Sequence, residues 1–214
     1  MRKILHQLAL SIRQKIRGTP KYQLHKLAFN RDDKKQEVKR ILHQLVLRND
    51  VENLEKELKK CTFEDINVEN KGLKFTPLFT ATIQGKVEPA KLLIKYGANV
   101  NALDVYGRPP LYYIGDPSPV PSATAENRLQ VAKLLLDKGA DVNITDADGA
   151  QPLWRIVYSA LGQGKEDELP IVKLLLEYGA DPDFRTKPGG SPLDFAKKVG
   201  YQPIIELLEI HKKI

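Results

Sequence analysis

The sequence predicts an all-α solenoid, in which helix-turn-helix units joined by hairpin loops stack behind extra N-terminal helices. A leucine-rich stretch is followed three times by a Gly-Ala-Asx phrase, at residues 97–99, 139–141 and 179–181. A Pro-Leu pair recurs four times, with its proline at Pro77, Pro110, Pro152 and Pro192. Successive prolines are 33, 42 and 40 residues apart. Repetition at a period of this size is typical of solenoids, whose units stack to form one core.

The first helix of each unit is predicted to begin at its proline, because a missing N–H costs nothing at the first helical position. In two units the preceding residue, Thr76 or Ser191, can cap the helix with its hydroxyl. In the two middle units Pro109 and Gln151 stand in that place. We therefore expect the helix starts of the middle units to be less well fixed.

The second helix of each unit is predicted to end at the glycine of the repeated phrase. Gly97, Gly139 and Gly179 can take the left-handed conformation that ends a helix without steric cost. Residues 104–107 and 146–149 then have the composition of turns between units.

Two insertions account for the longer spacings. From the proline to the leucine pair there are 15 residues in the first and last units, but 24 and 22 in the middle units. The first insertion contains a three-proline stretch at 115–121 and should be stiff. The second, at 161–168, is acidic and turn-rich, and we interpret its carboxylates as solvated. Either both are tolerated surface insertions, or together they form one protrusion that binds a partner.

The repeated pattern resembles the ankyrin repeat family over residues 43–212. Residues 76–81 with Gly85 are similar to the family's T-P-L-H-x-A and glycine pattern, and residues 191–196 with Gly200 are similar to a closing repeat. The resemblance implies an ankyrin repeat domain over 41–214, after a basic segment over 1–40. Its units are expected at about 41–70, 71–103, 104–145, 146–186 and 187–214. In the unit at 41–70, which precedes the first Pro-Leu pair, polar Lys56 and Glu57 replace leucines, as in a terminal cap.

The resemblance also implies the function, which is that of an intracellular protein–protein interaction module. In this family the turn tips and the ends of the first helices line a concave face, to which the inserted loops would add. The expected partner-binding residues are Ile83, Gln84, Val105, Tyr106, Arg108, Tyr113, Asp148, Arg155, Tyr158 and Lys198. Tyrosine and arginine are the types that anchor protein interfaces. Tyr112 and Trp154 are expected to be packed instead.

The N-terminal segment allows two interpretations. The first 31 residues hold eight basic side chains and no acidic one, within a chain of net charge +7. Residues 3–10 are repeated closely at 40–47, which favours a diverged extra unit stacked on the cap. Alternatively, this segment docks on an acidic membrane surface or on nucleic acid, and the protein is an adaptor.

Catalytic and metal-binding patterns are absent from the sequence, and we expect no enzyme activity, cofactor, metal or small-molecule substrate. The four histidines are scattered, and no phosphate-binding or nucleophile motif occurs. The single cysteine, Cys61, suits a reducing compartment. We expect a monomer in the cytoplasm. Ankyrin proteins include effectors of intracellular bacteria, and the Lys/Ile-rich composition favours that origin, with delivery into a host cytosol.

Overall fold

Every regular element in the part of the chain that the structure describes is a helix. The computed structural model describes residues 35–115, 123–163 and 168–212. The elements are α1 (35–48), α2 (Val51–Leu58), α3 (Phe63–Ile66), α4 (Pro77–Ile83), α5 (Val87–Lys95), a 3₁₀ helix (Pro110–Gly115), α6 (Ala125–Asp137), α7 (Pro152–Gln163), α8 (Leu169–Glu177), α9 (Pro192–Val199) and α10 (Gln202–Ile210). This order confirms the predicted all-α solenoid.

All four prolines of the Pro-Leu pairs begin a helix, as predicted. At the last of them Ser191 accepts a hydrogen bond from the N–H of Asp194, whose carboxylate accepts from the N–H of Ser191. Thr76 differs from the expectation, because its side chain makes no capping bond. After Pro109 the first helix is only a six-residue 3₁₀ helix, in keeping with a weaker start.

The glycines of the repeated phrase end the second helices, as predicted. The φ angles of Gly97, Gly139 and Gly179 are 98°, 82° and 88°. The N–H of each following alanine then donates to a carbonyl of the last helical turn, as from Ala98 to Leu93 at 2.9 Å. Orphan carbonyls at the helix end are thereby satisfied.

Asparagine side chains link each loop to the next unit. The side-chain amides of Asn67, Asn101 and Asn143 donate to the carbonyls of the three phrase glycines, Gly97, Gly139 and Gly179. In the last unit Asp183 stands in the corresponding position, and its carboxylate lies 2.8 Å from the ammonium of Lys212. In the last unit an ion pair with Lys212 therefore takes the place of the asparagine link.

The core runs continuously through the stack, from α1 to α10. Its largest fully buried side chains include Leu42, Leu54, Phe79, Leu93, Leu111, Leu135, Leu153 and Ile171. A single unit could not cover these side chains, so each unit depends on its neighbours for burial.

The boundary expected between residues 40 and 41 falls inside α1, which runs over 35–48 and buries Leu42 and Val46 in the core. The ring of His43 on α1 reaches the hydroxyl of Thr80 on α4, with 2.7 Å between Nδ1 and Oγ1. The basic helices predicted in the first 34 residues lie outside the described residues. Among the described residues, no helix is long and apolar enough to cross a membrane.

The second insertion lengthens a first helix, since α7 has 12 residues where α4 has seven and α9 has eight. Most of the two inserted loops, residues 116–122 and 164–167, lies outside the described residues.

Glu168 corrects the prediction that the carboxylates of 161–168 are solvated. Its side chain is 0% exposed. Its two oxygens accept hydrogen bonds from both terminal nitrogens of Arg128, at 2.6 and 3.0 Å. Arg128 also donates to the carbonyl of Ile114 at 2.8 Å. Because Ile114 precedes the first loop and Glu168 follows the second, this buried bidentate pair holds the two loop roots together.

Candidate partner-binding surface

Two buried aspartates shape the tips of the middle units. One carboxylate oxygen of Asp104 accepts from the N–H groups of Tyr106 and Arg108, at 2.8 and 2.9 Å. Asp146 likewise accepts from the N–H groups of Asp148 and Ala150, at 3.0 and 2.8 Å. Each tip is thus closed by its own side chain, as in Asx turns. The two residues that follow each aspartate therefore project outward from a fixed backbone.

An arginine lies between two tyrosine rings at the tip over residues 104–108. The guanidinium carbon of Arg108 is 4.8 Å from the ring centre of Tyr106 and 5.1 Å from that of Tyr112. Its Nε lies 3.6 Å from a carboxylate oxygen of Asp146. We call Tyr106, Arg108 and Tyr112 the Arg108 cluster. Tyr106 is 49% exposed, so the cluster presents an aromatic ring beside a cation that its neighbours hold in place.

Tyr112 is buried, as expected. Burial and the charge of Asp146 raise the pKa of Tyr112 to about 12. Its hydroxyl therefore stays protonated even at moderately alkaline pH.

Tyr113 differs from the expectation for a contact residue, because it is only 7% exposed. Its hydroxyl donates to Asp104 at 2.6 Å, and its ring lies edge-on to Phe75 and Phe79. Burial raises the pKa of its hydroxyl well above the ordinary value. Tyr113 therefore supports the tip from the inside, and little of its surface is accessible.

Three aromatic rings form a second exposed feature, on α7 and α9. The ring of Tyr158 stacks on Trp154, with centres 5.1 Å apart, and on Phe195, with centres 5.3 Å apart. We call these residues the Tyr158 stack. Tyr158 is 44% exposed, while Trp154 and Phe195 are half-buried. The guanidinium of Arg155 lies 6.0 Å from the Tyr158 ring centre. Arg155 therefore adds a cation beside the stack.

The other expected contact residues are accessible to different degrees. Val105 and Asp148 are exposed at the tips, and Lys198 is exposed on α9. Ile83 and Gln84, at the end of α4, are half-buried. Phe195 is a member of the stack that sequence reasoning missed. It stands three residues after its proline, as Arg155 does in the neighbouring unit, and this equivalence was the signal that could have identified it.

No group of three histidine, cysteine or carboxylate side chains that could hold a metal occurs among residues 35–115, 123–163 and 168–212. The described surface instead offers rings, cations and backbone tips, which are groups suited to binding a macromolecule.

The geometry defines a helical repeat protein with stacked units. A family model of ankyrin repeats, three copies long, matches residues 42–146 and 122–214. The chain therefore belongs to the ankyrin repeat family, whose repeats are in general protein–protein interaction modules. A comparison with curated proteins found no match to the chain.

Proposed function

We propose that this chain binds a partner protein through its concave side, with the Arg108 cluster and the Tyr158 stack at the centre of the contact. The inserted loops of the middle units would border this centre. Arginine and large aromatic residues that sit in a rigid, partly buried setting supply most of the binding energy in protein interfaces. Both features are of this kind, and Arg155 adds a second cation beside the Tyr158 ring.

The observation that carries the proposal is the Tyr158 stack itself. Rings that serve only the core would be buried on both sides, yet Tyr158 stays 44% exposed although two rings pack against it. Grouped exposed apolar surface on a monomer usually marks an interaction site. The position of the stack on two neighbouring units gives a partner a preformed platform.

The roots of the inserted loops support their inclusion. The Arg128–Glu168 pair joins the two roots, and α7, which leads into the second loop, carries Trp154 and Tyr158. A partner on the stack would therefore meet loops that start from one fixed base. The proposal places the protein in the cytoplasm or a host cytosol as a monomer, where Cys61 stays reduced.

Affinity capture from cell lysate tests the proposal. The native chain is compared with Tyr106→Ala/Arg108→Ala/Tyr158→Ala and with a control, Lys133→Ala/Tyr178→Ala. Tyr178 is 38% exposed, and the Lys133 ammonium lies 5.9 Å from its ring centre, so the control removes a similar ring and cation on the second helices.

We expect the native chain and the control to capture the same protein, and the triple variant to lose at least about 100-fold in affinity, as for an interface that loses its anchors. Equal capture by the triple variant would overturn the proposal.

A further inference from the structure

We infer, on the basis of the function proposed above, that the partner contributes an acidic, extended segment that lies along the tips. The inference rests on how charge is distributed between two sides of the stack. The tip side consists of α1, the tips and the first helices, over residues 35–48, 70–84, 104–115, 146–163 and 185–199. The second-helix side consists of α2, α5, α6, α8 and α10 with their flanking residues, over residues 51–60, 86–95, 125–138, 168–177 and 202–212.

The two sides differ sharply in charge balance. The tip side holds twelve Lys and Arg against five Asp and Glu, while the second-helix side holds eleven against ten. Two of the five tip-side acids, Asp104 and Asp146, are buried and occupied by backbone N–H groups. Over these ranges, the surplus of positive charge therefore lies on the tip side, which carries the exposed rings.

Ion pairing sharpens this difference. On the second-helix side most lysines lie beside a carboxylate, such as Lys56 with Glu52 at 2.6 Å and Lys91 with Glu88 at 2.6 Å. On the tip side Lys71, Lys74 and Lys198 make no ion pair within the described residues. Cations without an ion partner at both ends of the stack attract a segment of opposite charge and disfavour a basic one.

The first tip, over residues 70–75, differs in length from the other tips. The side chain of Asn70 accepts from the N–H of Phe75, five residues on, where Asp104 accepts from Arg108, four residues on. This tip therefore has one extra residue. In the other tips Gly107, Gly149 and Gly189 take the positive φ that the turn requires.

Lys74 takes this position in the first tip, at φ 62°. A non-glycine residue rarely adopts this conformation, and such strain is typical of positions kept for function. The tip thus keeps Lys74 where a glycine would have relieved the strain. Together with Lys71, it presents two lysines.

The shape of the surface favours an extended segment. Neighbouring units in a helical stack are about 10 Å apart, so the four tips span about 30 Å. About nine residues of extended chain cover that distance. Such a segment would place carboxylates near Lys71, Lys74 and Lys198, and apolar side chains on the Tyr158 stack.

The ring geometry favours a protein over a nucleic acid. Bases bind to aromatic side chains by stacking on free ring faces. In the Tyr158 stack the three ring centres lie 5.1, 5.3 and 6.2 Å from one another, so the rings turn much of their faces toward each other. Ring edges and the Tyr158 hydroxyl remain, and these suit peptide side chains better than bases.

Selection from a display library of random 12-residue peptides tests the inference. The full chain is the bait, and selected peptides are then measured by fluorescence anisotropy against two variants. Lys71→Gln/Lys74→Gln/Lys198→Gln removes tip-side cations. Lys59→Gln/Lys86→Gln/Lys138→Gln is the matched control, since these second-helix lysines also make no ion pair within the described residues. A fluorescent 20-nucleotide single strand is measured in parallel.

We expect the selected peptides to be enriched in Asp and Glu, and to lose at least about tenfold in affinity with the tip-side variant but not with the control. Peptides without an acidic excess would overturn the inference. If such peptides still lose binding to Tyr106→Ala/Arg108→Ala/Tyr158→Ala, the function proposed above stands without it. If they bind that variant equally well, or if no peptide is enriched, both fail. Tighter binding of the oligonucleotide through the same lysines would also overturn the inference.

Discussion

The tip side and the second-helix side of this stack are built from the same units, yet they differ in where their polar groups are satisfied. On the second-helix side most charges find partners within the chain, and the buried Arg128–Glu168 pair is the extreme case. On the tip side lysines stay uncompensated and the Tyr158 stack stays partly exposed. The contrast indicates that one side holds the stack together while the other is available to a partner. Substitutions should therefore separate stability from binding.

The largest effect on stability should come from breaking the buried pair. Glu168→Ala leaves the guanidinium of Arg128 buried without its carboxylate, which costs about 3–5 kcal/mol of the free energy of unfolding. Arg128→Met/Glu168→Leu should cost less, because it leaves no unpaired charge. Lys173→Ala, which removes an exposed pair with Glu177, should change little. Urea denaturation measures all three, and equal losses for the exposed and buried pairs would contradict the contrast.

The next largest loss of stability should come from adding a side chain where two units approach closely. A Cβ atom on Gly115 would lie 2.5 Å from Cγ1 and 2.9 Å from Cα of Ile156. Gly115→Ala should therefore destabilise the fold by about 1–3 kcal/mol through overpacking. Gly162, on the same α7 as Ile156, has nothing within 4 Å of such a Cβ. Gly162→Ala should be neutral or slightly stabilising. Thermal unfolding measures both variants. Equal melting temperatures would show that the close approach at Gly115 does not limit stability.

The pH dependence of stability should report on α1. Burial, and then the positive charge of Lys39, hold the pKa of His43 below its ordinary value. The unfolded chain keeps a pKa of about 6.5, so on acidification it binds a proton that the folded state does not. Stability should therefore fall as the pH is lowered from about 7.5 to 5.5, by at most about 1.4 kcal/mol per pH unit.

Urea titrations at several pH values measure this slope. His43→Gln should flatten it, and Lys39→Gln should reduce it in part, because Lys39 contributes to the shift. An unchanged slope in His43→Gln would show that another group titrates.

The smallest predicted effect is a gain in the free energy of unfolding. Lys74→Gly relieves a left-handed conformation that costs about 1–2 kcal/mol, offset by the greater freedom of glycine in the unfolded chain. We expect the free energy of unfolding to rise by about 0.5–1 kcal/mol while affinity for acidic peptides falls. Lys71→Gly, three residues earlier in the same tip and without a positive φ, is the control and should not be stabilised. A loss of stability in Lys74→Gly would remove the case for strain.

The fold could be predicted almost entirely from the sequence, because prolines and glycines at fixed offsets mark where helices begin and end. The interior contacts could not. Glu168 lies next to two other acidic residues, and only its pairing with Arg128, 40 residues away, explains its burial. Such a contact leaves no local pattern.

The same limit applies within the predicted site. Tyr113 follows Tyr112 directly, and alternate burial would be a natural guess. The 3₁₀ helix that carries both contacts α4, α6 and α7, so both rings are buried. The exposure of Tyr106 and Tyr158 could be predicted, because their positions in the repeat correspond to a tip and to a first-helix end.

Photo-crosslinking tests most directly whether the tip side binds the partner. A benzoylphenylalanine is placed at Tyr158 on the tip side or at Tyr178 on the second-helix side, two tyrosines with similar exposures of 44% and 38%. After irradiation in lysate, the chain labelled at 158 should form a discrete adduct that the chain labelled at 178 does not form. The same adduct from both positions, or from 178 alone, would contradict the account.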